Sequence, residues 1–191
     1  MQIPGTTVAL VASILRKGED DVTQHYALKT IENIASQGGE WAARFTSPEV
    51  LDNLCYTFRA TAKPENLRAT SGSCLVRLVR FSPATIPIVL EKLTFRELVG
   101  GLAKGSAREQ QVNINLLNMA LVGSSVIPNM NKYLLALLDE RSLVPSVVAM
   151  LEQVQLFPPI TDIFLNVGFF VKLRSELWCA TRNILNGNHM L

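Results

Sequence analysis

Four segments of this chain carry variants of one helical phrase: "LKTIENIA" at 28–35, "CLVRLVR" at 74–80, "LLNMALV" at 116–122 and "WCATRNIL" at 178–185. Placed in register, Asn33, Arg77, Asn118 and Asn183 hold equivalent places, separated by 44, 41 and 65 residues. A helical unit of about forty residues cannot bury its apolar face alone, so recurrence at that spacing implies copies that stack on one another. The long last interval implies one irregular unit with an inserted helix, or a unit and a half.

Periodicity and capping signals place the helices. The first covers about 6–17 through Val8, Leu10, Val11, Ile14 and Leu15. The second runs over about 21–36, with Asp20 and Asp21 at its positive end, Gly38-Gly39 after it, and an apolar set of Val22, Tyr26, Ala27, Ile31 and Ile34. A turn at 40–45 follows. Ser47-Pro48 opens a helix to about Thr61, and Pro64 repeats the device for a helix to about 81, on which Ser71, Gly72 and Ser73 let a neighbour approach closely. Pro83 starts a helix to about Leu93, with Pro87 in its first turn or bending it. Thr94-x-x-Glu97 and Ser106-x-x-Glu109 are capping boxes and predict helices at 95–104 and 107–122, with Gly100, Gly101 and Gly105 weakening or ending the first. Further helices are expected near 128–139, 142–154, 159–169 and 171–186.

No run alternates apolar and polar residues over strand length. Periods in the low forties are those of armadillo and HEAT repeats, so the expected fold is all-α, an armadillo/HEAT-like right-handed superhelical solenoid, with residues 1–191 as a single repeat domain. A compact helical bundle is the alternative built from the same helices. Karyopherin armadillo repeats set a tryptophan four residues before the asparagine. Here Lys29, Ser73, Ile114 and Cys179 stand in that place and Trp178 lies five before Asn183, so an importin-like aromatic ladder is not expected.

In a stacked array the last helix of each unit lines the concave surface, and residues one unit apart form rows along it. Asn33, Asn118 and Asn183, interrupted by Arg77, would make such a row, joined by Asn115 on its own helix. An amide carries a donor and an acceptor and can pair with the backbone of an extended peptide, each bond contributing about 0.5–1.5 kcal/mol net. Lys29, Arg77, Arg80 and Arg182, with Lys172 and Arg174 nearby, make that groove mildly basic and receptive to acidic or phosphorylated segments. The partner expected is therefore a protein or peptide, and exposed terminal units could also pair two copies. An asparagine late in a helix can equally serve a neighbouring loop.

Other chemistry is not written here. Cys55, Cys74 and Cys179 are odd in number and sit at core spacing, which suits reduced, buried thiols. His25 and His189 lack a nucleophile and carboxylate at recognisable spacing, so no catalytic residue, metal site or cofactor is expected, and His25 should be structural or groove-lining. A net charge of +2 with 7% aromatic residues does not supply the cationic, stacking surface of an RNA-reading repeat. The longest apolar stretch, 160–171, contains Asp162 and falls short of the ~20 residues a membrane crossing requires. No leader is recognised at the amino terminus, and the expected location is cytoplasmic.

Residues 24–92 carry a more specific likeness. "QHYALKTIENIAS" and "LCYTFRATAKPENLRATSGSCLVRLVRFSPATIPIVLEKL" resemble the repeat region behind the kinase-like domain of the Unc-51-like pseudokinase and Fused-type family, including polar positions His25, Lys29, Asn33, Arg68, Arg77, Arg80 and Pro83. The resemblance implies a helical scaffold without chemistry of its own, linked to microtubules, cilia and cell division. No Gly-rich nucleotide loop or kinase catalytic string occurs, so the chain is expected to be a carboxy-terminal piece of a longer kinase-like protein. A general armadillo adaptor unrelated to kinases and an RNA-binding helical repeat remain the alternatives.

Overall fold

The computed structural model describes residues 5–16, 20–38 and 40–123. All regular structure among them is helical: α1 Gly5–Ile14, α2 Asp21–Gln37, α3 Glu40–Ala43, α4 Pro48–Arg59, α5 Glu65–Phe81, a 3-10 turn Pro83–Thr85, α6 Ile86–Lys92, α7 Phe95–Lys104 and α8 Ala107–Gly123. The helices expected beyond 127, and with them Arg182, Asn183, Cys179 and His189, lie outside the described residues.

The caps act as the sequence predicts. Asp20 accepts hydrogen bonds from the Val22 and Thr23 amides at 3.0 and 2.9 Å, and Ser47 accepts from the Val50 amide at 3.4 Å with Pro48 in the first helical turn. Both capping boxes close reciprocally: the Thr94 amide donates to Glu97 at 2.9 Å, and the Ser106 amide donates to Glu109 at 3.0 Å. Two details differ. Pro64 is the cap residue of α5 and makes no side-chain cap bond, because its ring offers no acceptor. The stretch 83–93 begins as a 3-10 turn, and Pro87 then falls in the first turn of α6, where its missing N–H costs nothing.

The chain divides into two compact units, Met1–Leu93 and Thr94–Leu191. In the first, α5 lies between α2 and α4. The α4–α5 hairpin is closed by the Ser71 hydroxyl, wholly buried, which donates to the Leu54 carbonyl at 2.8 Å. On the other side the Cys74 thiol meets the Leu28 carbonyl at 3.4 Å. Small residues at 71 and 72 let both neighbours come this close, as the sequence implies, joined by Ala69, whereas Ser73 is half-buried and bonds within α5 to the Ala69 carbonyl. Leu28, Ile31, Leu51, Leu54, Leu75 and Leu78 form the shared core, each fully buried and each stabilising the fold by about 1.5–3 kcal/mol relative to exposure. Contacts between α2 and α5 advance in the same direction along both helices: Asp21 with Lys63, Leu28 with Cys74, Ser36 with Arg77, and Gly38 against the Phe81 ring. The two helices therefore run parallel, side by side.

In the second unit α7 and α8 form a tight hairpin. Gln110, buried, donates to the Leu102 carbonyl at 2.8 Å, and Gly101 faces Asn113 so closely that any Cβ there would strike the amide. Leu98, Val99, Leu102, Ile114 and Leu117 supply its core.

Cys55 and Cys74 are buried free thiols, as their spacing implies. Burial, reinforced by the Asp52 carboxylate, pushes the Cys55 thiol up from 9.0 to about 12. The folded state thus holds a proton that the unfolded chain releases first, and stability present below about pH 9 is lost as pH rises toward the folded value. Under reducing conditions the native chain should lose on the order of 2 kcal/mol more than a Cys55→Ala variant between about pH 8 and about pH 11 in urea titrations; parallel losses would show that this thiol is not protected.

Candidate interaction surface

A helix repeats its face every three to four residues, so positions 22, 26, 29, 33 and 36 of α2 share one side, and 66, 70, 73, 77 and 80 of α5 share the corresponding one. Each position of the first set is 44 residues from its mate in the second. Parallel packing sets the two rows beside each other, with Thr70 buried and Lys29 and Ser73 half-buried between their exposed ends.

Asn33 is exposed on this face. Arg77, also exposed, donates from Nη1 to the Ser36 hydroxyl at 2.9 Å, across the seam and one turn beyond Asn33. Arg80 follows one turn later and is exposed. Lys29 shares the face but is tied to Glu32 by a 2.7 Å ion pair, whose carboxylate is largely covered. Asn33, Arg77 and Arg80 thus lie on the same side of the α2/α5 pair, with Lys29 constrained beside them. Asn115 and Asn118 stand three residues apart on α8, both half-buried, in the second unit. The amide most firmly held there is Asn113, buried and donating to the Glu109 carbonyl at 3.0 Å.

The amino-terminal end of the same face holds what the sequence reading placed in the core. Val22 and Tyr26 are 66% and 69% exposed. Both lie about half a turn from the line of Leu28, Ile31 and Ala35 that faces inward, so apolarity alone had grouped them with it. Gln24 takes the inward place instead, donating to the Arg16 carbonyl at 2.9 Å. Leu10, also assigned inward, is 61% exposed, because α1 turns Val11, Ala12 and Leu15 toward the core.

Val22 and Tyr26 stand over a cleft of about 280 Å³ lined also by Asp21, His25, Pro64, Asn66 and Leu67. His25 is groove-lining, its ring edge-on to Tyr26 at 6.1 Å, and its Nδ1 is buried without a hydrogen-bonding partner among the described residues. Asp20 and Asp21 sit at this end. The Thr23 hydroxyl, then the Thr23 amide, hold the Asp20 carboxyl below its ordinary value, so it stays anionic. Asp21 pairs with Lys63 at 2.6 Å. Arginines mark the opposite end, giving the face an acidic and apolar end and a basic one.

Among the described residues no three His, Cys, Asp or Glu side chains converge as metal ligands, and no helix is long and apolar enough to cross a membrane.

No protein-family model matches the chain. Its relatives include two serine/threonine-protein kinases. RUNKEL of Arabidopsis thaliana is 53% identical over 152 residues, 80% of this chain, and ULK4 of Mus musculus is 29% identical over 150 residues, 78% of this chain. The chain spans 11% of the length of each. This likeness supports the relation to Unc-51-like kinases that residues 24–92 imply.

Proposed function

We propose that this chain is a non-catalytic protein-binding scaffold, an armadillo/HEAT-type superhelical region of a longer kinase-type protein, which takes up an extended segment of a partner along the α2/α5 face. The observation that carries the reading is the lateral alignment of two parallel helices on which the pairs 22/66, 33/77 and 36/80, each 44 residues apart, are exposed on both, the arrangement by which stacked repeats build a binding surface. Asn33 offers an amide for a partner's backbone, and Arg77 and Arg80 offer guanidiniums for its carboxylates or phosphates. The similarity to kinase-type chains is consistent with a region that holds partners of a kinase, and the family likeness of residues 24–92 favours partners associated with the cytoskeleton and cell division in the cytoplasm.

An Asn33→Ala, Arg77→Ala, Arg80→Ala variant tests the reading. All three side chains are exposed, so far-UV circular dichroism and the melting curve should match the parent's. Proteins retained by the immobilised parent from a native lysate should be lost from the variant. Equal retention by both would refute the proposed surface.

A further inference from the structure

Large apolar side chains in open solvent beside a cleft mark a place that something else covers. Val22 and Tyr26, one turn apart on α2, meet Pro64 and Leu67 at the start of α5 across the cleft of about 280 Å³. That volume is below the ~300–1,000 Å³ of cofactor and drug-sized sites, and suits one bulky side chain. Asp20, Asp21 and Glu65 stand exposed at this end, where Lys63 pairs with Asp21 and Arg68 follows Glu65 by one turn. At the far end, face positions 33, 36, 77 and 80 bring two guanidiniums and no carboxylate. From position 22 to position 36 the helix rises about 21 Å, the length of about six or seven residues of extended chain.

We propose that the cleft anchors one large apolar side chain of a bound protein segment, flanked by a Lys or Arg that meets the acidic rim, while an Asp or Glu about six or seven positions away engages Arg77 and Arg80. The inference rests on the scaffold reading above and specifies the chemistry of its ligand.

Random peptides of about ten residues displayed on phage, enough to span the face, are selected against the full chain, and the enriched sequence is synthesised with fluorescein and titrated by anisotropy. The expected selection is an aromatic or large aliphatic residue beside Lys or Arg, with an acidic residue at the stated separation. Val22→Ser with Tyr26→Ser, both surface changes checked by circular dichroism, should weaken binding roughly tenfold or more, and Arg77→Glu with Arg80→Glu should do the same. Peptides that lose affinity only to the arginine variant would overturn the cleft assignment and leave the scaffold reading standing. Failure to enrich any peptide would remove both. Sedimentation showing a dimer that dissociates on the Val22 and Tyr26 changes would overturn the peptide assignment in favour of a second copy of this chain.

Discussion

Leu75→Asp should abolish the cooperative folding of the first unit. Leu75 is wholly buried on α5, the helix that touches both α2 and α4. Its replacement removes about 1.5–3 kcal/mol of burial and leaves a carboxylate in an apolar seam, at a cost of several kcal/mol more. A domain of this size has about 5–15 kcal/mol in all. Loss of far-UV helical signal at room temperature, or a urea midpoint near zero, is the expected measurement. Leu10→Asp is the control, since that side chain is 61% exposed and surface changes of this kind stay within about 0.5 kcal/mol. Unchanged stability of the Leu75 variant would mean that α5 is not the centre of the unit.

The second large effect concerns how closely α5 approaches α4. Ser71 is fully buried with its hydroxyl on the Leu54 carbonyl at 2.8 Å. Ser71→Leu puts three further carbons where no space exists and should destabilise the unit by about 3 kcal/mol, the upper range for overpacking. That lowers the melting temperature by more than about 10 °C. Ser71→Ala, which loses only the hydrogen bond, should cost about 1 kcal/mol. Ser73→Leu lies two residues on, half-buried, its hydroxyl bonded only within α5 to the Ala69 carbonyl at 2.9 Å, and should be nearly silent. Equal effects at 71 and 73 would show that general crowding of α5, and not the α4 contact, sets the cost.

Much of this architecture was legible from residues alone because it is local. An N-cap or capping box is decided within four residues, so Asp20, Ser47, Thr94 and Ser106 mark their helix starts directly. Spacing of recurring phrases is equally visible, and it sets Asn33 and Arg77 at equivalent places 44 residues apart. What stayed hidden depends on rotation about a helix axis and on distant partners. Val22 and Tyr26 are apolar, yet the inward line of α2 passes through Gln24, whose amide finds the Arg16 carbonyl in the turn after α1. No window of sequence records that bond. The same holds for Arg59, which donates to the Lys92 carbonyl at 2.6 Å from 33 residues away, and for Asn113, chosen over Asn115 as the anchored amide by its place opposite Gly101. The cleft escaped notice because its two walls come from helices some forty residues apart.

The parallel course of α2 and α5 also dictates where this chain can change length. One residue inserted into α5 ahead of Asn66 would turn everything after it by about 100°, swinging Arg77 away from Ser36 and Leu75 out of its seat at a stroke. One residue added between Arg59 and Glu65, where no helical turn has to be kept in phase, leaves the alignment intact. Connectors are therefore free to drift in size while the helices are metrically fixed, and the 44-residue interval is the sum of fixed helical lengths, α4 among them, and a loose remainder.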